Sequence, residues 1–162
     1  MKGFYFMNIE NQAIIDSLYA TIGSLRSRNV HLNALNANLT AENTKFKKNR
    51  DKYIKLISSV GSAKGQLGSA RGSVSSASSG LSHYYSGSMS GRLSGRLSDA
   101  SSKISSIISQ LSSVIPEANR QIKLINTKVK QNNGKIQSNV NQIKSNNSRI
   151  RSALNEIRQL SY

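Results

Sequence analysis

The chain has 162 residues, with 23 Lys and Arg against 7 Asp and Glu, and a formal net charge of +16. This length suits one domain. The absence of Cys excludes a disulfide scaffold and a thiol nucleophile, and the two histidines, His31 and His83, lie 52 positions apart without clustered carboxylates. We therefore expect a protein that is not an enzyme and that uses no cofactor or metal.

Apolar and aromatic side chains recur every seventh residue along two arms of the chain. The first series is Leu18, Leu25, Leu32, Leu39, Phe46, Tyr53, Val60, Leu67, Val74 and Leu81. The second is Ile108, Ile115, Ile122, Val129, Ile136, Ile143, Ile150 and Ile157. A heptad repeat sustained over this length is typical of a coiled-coil seam.

A weaker companion series assigns the heptad letters. In the first arm the companion series lies three residues before the apolar series, so the apolar series occupies position d. In the second arm it lies three residues after the apolar series, so the apolar series there occupies position a. An antiparallel coiled coil stacks a layers against d layers. The two apolar series then face each other when the numbers of paired residues sum to 175. The same register pairs asparagines that set it: Asn29 with Asn146, Asn36 with Asn139, and Asn43 with Asn132.

The pairing axis of this register falls between Gly87 and Ser88. The sequence therefore predicts an all-α fold, a long antiparallel coiled-coil helical hairpin with its turn near these residues. A swapped antiparallel dimer would preserve every layer, so monomer and dimer both stay open at this stage.

We expect one helical-hairpin domain over 1–162, with a tail at 1–10, a stem at 11–60 and 116–162, and a Gly/Ser-rich head at 61–115. Between Gly61 and Ser102, eight Gly and fifteen Ser occur among 42 residues. A flexible linker is one interpretation. The heptad phase continues through this tract, however, which favours thin helices that need something packed against them. Pro116 lies opposite Ser59 in the 175 register and predicts a kink near Gly61 and Pro116.

Three cations occupy a positions of the first arm, where they face apolar residues of the second: Arg50, Lys64 and Arg71. Their stems can cover the seam while the charges reach water. Our alternative hypothesis is that a further helix completes the seam with acidic residues. The partner-binding residues would then be these three cations together with the small and apolar residues Leu67, Val74, Leu81, Gly91, Leu93, Gly95 and Leu97.

The predicted turn carries Tyr84, Tyr85, Ser86 and Gly87. A turn that uses Ser-Gly for its backbone freedom explains these residues without any binding role. The hairpin with aromatic-x-Gly at its turn also resembles the WXG superfamily of type VII secretion substrates. More narrowly, it resembles the small helical proteins encoded with LXG-family toxins, with Tyr85-Ser86-Gly87 in place of Trp-x-Gly. The resemblance implies a protein that binds the helical N-terminal domain of the toxin and helps to deliver it.

The chain departs from that family in its length and in the tyrosine at the tryptophan position. The C-terminal export signal of the superfamily, Tyr-x-x-x-Asp/Glu, has no match. The resemblance therefore implies that a second small helical protein carries the export signal.

The strong positive charge predicts an anionic partner, which we expect to be an acidic helical protein. Nucleic acid or an anionic surface, bound nonspecifically, is the alternative. No apolar run approaches the ~20 residues of a transmembrane segment, and Met1–Met7 lacks the features of a cleaved signal peptide. We expect a cytoplasmic location, with export alongside the partner as an open alternative.

Overall fold

Two long helices account for almost all of the chain. The computed structural model describes residues 2–84 and 87–161, with the side chains of residues 2–8 and of Ser82 outside that description. Helix α1 runs over Lys2–Tyr84 and helix α2 over Ser88–Leu160, and the two helices pack against each other. The predicted all-α helical hairpin is confirmed. Residues 2–10, where we expected a tail, belong to helix α1.

The hairpin divides into two compact units. Unit 1 contains Met1–Lys45 and Lys128–Tyr162, and unit 2 contains Phe46–Thr127. Unit 1 holds an apolar cluster of a and d residues near the chain ends, formed by Ile15, Leu18, Ile22, Leu25, Ile150, Ala153 and Ile157. The cluster brings together residues whose numbers sum to 175, such as Leu25 with Ile150, so these arms lie in the register that the heptads predict.

Three asparagine layers cross the seam of unit 1. In each layer the amide nitrogen of the α2 residue donates to the amide oxygen of the α1 residue. The distances are 2.8 Å from Asn146 to Asn29, 2.8 Å from Asn139 to Asn36, and 3.1 Å from Asn132 to Asn43. These are the three pairs of the 175 register.

Side chains beside the seam satisfy remaining amide donors of these layers. Asn29 donates to Asn147 at 2.8 Å, and Asn43 donates to Asn133 at 2.9 Å. Asn132 also donates to Glu42 at 3.2 Å. Within the described residues, no buried side-chain nitrogen or oxygen lacks a hydrogen-bond partner. In this register the layers therefore leave none of their buried amide groups unpaired.

Helix α2 continues through Pro116. Proline lacks an N–H group, so the Ser112 carbonyl loses its usual helical donor at this point. Just beyond it, both Glu117 oxygens accept hydrogen bonds of 2.8 Å from Arg120, and Gln121 donates at 2.7 Å. The hydrogen bonds from Arg120 and Gln121 and the guanidinium charge lower the pKa of Glu117 to about 2. The kink expected near Gly61 and Pro116 stays a prediction.

We predict that replacing one member of the buried Asn43–Asn132 pair destabilises the protein more than replacing both. Asn132→Leu should lower the free energy of unfolding by about 1–3 kcal/mol, because the buried amide oxygen of Asn43 then loses its donor. The double replacement by Leu should recover most of that loss and loosen the register. Urea unfolding measures both effects, with the exposed Asn155→Ala as the control. A double variant less stable than Asn132→Leu would contradict the prediction.

The stabilising contribution of Glu117 should depend on pH. A folded-state pKa below the usual value means that this contribution is present at neutral pH and is lost as the pH falls from about 4.5 toward 2. An NMR titration of the Glu117 carboxyl carbon should show a midpoint near 2. In the Arg120→Ala variant the midpoint should rise toward 4.5; an unchanged midpoint would show that Arg120 is not the cause.

Candidate partner-binding surface

The seam of unit 2 is thin over most of its length, which here means that few of its side chains are buried. Val60, Ala118 and Ile125, in the part of unit 2 farther from the turn, are buried. Between residues 61 and 117, none of the side chains that the structure describes is buried. The sequence-predicted apolar site residues in the a and d rows are only half-buried there: Leu67, Val74, Leu81 and Leu97. The Gly/Ser tract is helical over 61–84 and 88–102, and these two helical segments bury little apolar surface on each other.

The three cations of the seam have different surroundings. Arg50 forms an ion pair with the neighbouring Asp51 at 3.0 Å, so its carboxylate partner comes from its own helix. Arg71 donates to the Ser105 hydroxyl at 3.4 Å across the hairpin. Lys64 is half-buried, and the described residues offer it no hydrogen bond or ion pair. For Arg50, the neighbouring Asp51 of its own helix therefore supplies a carboxylate, and none of the three cations has an ion pair with the facing helix among the described residues.

The glycines of unit 2 face open space. A Cβ atom added at Gly91 or Gly95 would meet no heavy atom within 4 Å, and the same holds for four glycines at positions e and b of the first arm, Gly61, Gly65, Gly68 and Gly72. These glycines are exposed and lie at positions e and b, on the a-side flank of each helix. No other part of the described chain packs closely against this small-residue stripe.

Serine hydroxyls in unit 2 bond largely to their own helices. Ser69 donates to the Gly65 carbonyl at 3.2 Å, and Ser105 donates to the Ser101 carbonyl at 2.9 Å. Ser78 and Ser94 also approach across the hairpin, with their hydroxyl oxygens 3.3 Å apart. Bonds to the carbonyl four residues earlier satisfy a hydroxyl without a partner on another helix. This explains how so many serines can occupy helices.

The turn exposes an aromatic side chain. Tyr84 is 79% exposed, and His83 packs against it edge to face with ring centroids 5.1 Å apart. Gly87 has a φ of 131°, in the region that favours glycine, and its carbonyl accepts the Gly91 N–H at 3.3 Å. Tyr85 and Ser86 of the proposed motif lie outside the described residues.

One row of exposed apolar residues was not predicted from the sequence. Leu56, Leu93 and Ile107 are 41%, 45% and 45% exposed, and only Leu93 was expected to bind a partner. All three occupy position g, the residue immediately before a. A third apolar residue per heptad is the signal that could have found them, because helices that pack on more than one neighbour carry it.

Comparison with known protein families, curated proteins and solved structures finds no match to this chain. Within the described ranges, neither helix has a stretch long and apolar enough to cross a membrane. Groups of three His, Asp or Glu side chains that could hold a metal ion are also absent from the described residues.

The thin seam predicts that the same substitution is milder in unit 2 than in unit 1. Leu25 is 3% exposed, so Leu25→Ala should cost about 2–4 kcal/mol of unfolding free energy. Leu67→Ala removes a half-buried side chain and should cost about 1 kcal/mol. Denaturant unfolding compares the two variants, and amide hydrogen exchange should show weaker protection in residues 61–84 and 88–115 than around Leu25. Equal costs and equal protection would contradict this.

Proposed function

We propose that the chain is a non-catalytic accessory or targeting protein that binds the acidic helical N-terminal domain of an LXG-type toxin for type VII secretion. The resemblance of the hairpin and its turn to small proteins encoded with such toxins suggests the system. In this proposal the complex assembles in the cytoplasm, and a second small helical protein carries the export signal.

The observation that carries the proposal is the absence of buried side chains among the described residues of 61–117. Glycine and serine are weak helix formers, and long helices in water depend mainly on apolar burial for stability. A helical partner that packs on this part of the hairpin would supply the missing burial by helix addition.

Charge supports an acidic partner. Unit 2 contains twelve Lys and Arg residues against three Asp and Glu residues. Lys64 and Arg71 lie in the seam itself, where a partner carboxylate could approach them with partial exclusion of water. Attraction between opposite charges would also speed association and favour acidic helices over basic ones.

A second function is favoured by a separate observation on unit 1. Position b of α2 presents exposed cations, with no acidic residue in the same row: Lys130, Lys144, Arg151 and Arg158. Successive b positions lie about 10 Å apart along a helix. Such a row can contact phosphates, so nonspecific binding of nucleic acid or another anionic surface is the alternative function.

Co-expression with the proteins of neighbouring genes, followed by tag purification in low and high salt, tests the two functions. We expect a stoichiometric acidic helical protein, identified by mass spectrometry, to remain bound in high salt. Replacement of Lys64 and Arg71 by Leu should weaken its binding at least about tenfold. The matched control replaces Lys55 and Arg92, which are exposed on the outer face, by Leu.

Recovery of nucleic acid alone, with binding that falls steeply as salt rises, would overturn the proposal and favour the alternative. Retention of the acidic protein by the Lys64 and Arg71 double variant at unchanged affinity would remove these two cations from the binding surface.

A further inference from the structure

Unit 2 has a third apolar row beside its seam. From residue 56 to residue 77 the residues at position g of α1 are Leu56, Ala63, Ala70 and Ala77, and from residue 93 to residue 114 those of α2 are Leu93, Ala100, Ile107 and Val114. We call these eight residues the g face. The three largest members are nearly half exposed, whereas Ala63, Ala100 and Val114 are half-buried at the edge of the seam.

Both halves of the g face lie on the same side of the hairpin. In an antiparallel pair, position a flanks e and position d flanks g on each helix, so e meets e and g meets g. In unit 2, the hydrogen bond from Arg71 at position a to Ser105 at position e crosses the hairpin on the side where the e positions lie. Unit 1 shows the g side, because residues at positions g, c and d of both helices line one groove: Arg28, His31, Leu32, Gln142, Ser145 and Asn146.

The shape of the g face suits a helix. Its α1 half is largely alanine, which keeps the surface low, and its α2 half has the larger Leu93, Ile107 and Val114. A helix lying over the alanines would contact these larger side chains from one flank. The opposite, e side of the hairpin is lined by glycine and serine and offers little apolar surface.

The charges around the g face select the chemistry of the occupant. Arg96 and Lys103 are exposed at position c, next to Leu93 and Ile107 on the surface of α2. From residue 56 to residue 114, positions g and c contain no Asp or Glu. A second copy of this chain would bring like charges together, whereas an acidic helix would place carboxylates beside them.

We propose that the g face is the docking surface for an acidic amphipathic helix, with Arg96 and Lys103 contacting its carboxylates. This proposal rests on the proposed function for the identity of the partner, but the position of the surface follows from the heptad pattern and the exposure. Docking of this helix covers the half-exposed Leu and Ile side chains, whereas Lys64 and Arg71, at position a beside the opposite side of the hairpin, are left for another helix of the same partner.

A designed peptide of about four heptads, with Leu at a and d and Glu at e and g, is the probe. We expect it to bind the full-length protein, and a peptide with Lys in place of Glu not to bind. Ala70→Glu, on the g face, should weaken binding at least about tenfold, because it places a charge in the apolar contact. Ser75→Glu, exposed at position e of the same helix, has the same net charge and should change affinity less than about twofold.

Charge reversal gives a second matched comparison. Arg96→Glu together with Lys103→Glu should weaken the Glu peptide at least about tenfold and reduce its salt dependence. Arg92→Glu together with Lys55→Glu changes the net charge equally at outer positions and should have little effect. A photo-crosslinking residue at position 70 should capture the peptide, and one at position 75 should not.

Equal effects of Ala70→Glu and Ser75→Glu, or capture from position 75 alone, would overturn the g face as the docking surface. Capture of a second copy of the chain from position 70, with no peptide bound, would also overturn it. If the Glu peptide binds as expected but co-expression yields no acidic helical protein, the proposed function fails and the docking surface stands. If the co-expressed protein binds and only Ser75→Glu weakens it, the surface fails and the function stands.

Discussion

The pairing of six asparagines within the seam is the constraint on which the alignment of the hairpin depends. Apolar heptads alone tolerate a shift of seven residues, because each shift again brings Leu, Ile or Val into opposition. Shifting the asparagine layers leaves an amide facing hydrocarbon at both ends of the block, at about 1–3 kcal/mol for each unsatisfied buried group. The lateral bonds from Asn29 to Asn147 and from Asn132 to Glu42 would be lost as well. Register is thus set by polar groups, although stability comes mainly from apolar burial.

Much of this fold could be predicted from the sequence because heptad position determines which residues enter the seam. The a and d rows, the asparagine pairs and the short connection at Gly87 all follow from counting along the chain. The Arg50–Asp51 pair could not be predicted in this way, since the direction of a long side chain at the seam edge depends on local rotamers. The hydrogen bonds of Glu42 and Asn133 do not follow from the a and d rows, because both residues flank the seam.

The candidate site was less predictable than the fold for a related reason. An interpretation that uses only the a and d rows of the heptad treats Leu56 and Ile107 as surface residues. It therefore gives the row at position g no role. Gly91 and Gly95 are among the residues expected to bind a partner, yet they face open space on the other flank of the helix. Composition marked unit 2 as unusual, but only exposure and the sidedness of the antiparallel pair separate an apolar flank from a small-residue flank.

The proposed binding is selective because the seam of unit 2 buries little apolar surface by itself. Each glycine in a helix interior costs roughly 1 kcal/mol relative to alanine, and the half-buried a and d rows return little of that cost. A partner helix gains most where it covers Leu56, Leu93 and Ile107, since apolar burial contributes about 25 cal/mol per Å². A helix with basic flanks loses this gain to repulsion from Arg96 and Lys103, and a short helix covers too few of the larger side chains. The thin seam therefore makes stable packing on unit 2 depend on the length, apolar pattern and charge of the partner together.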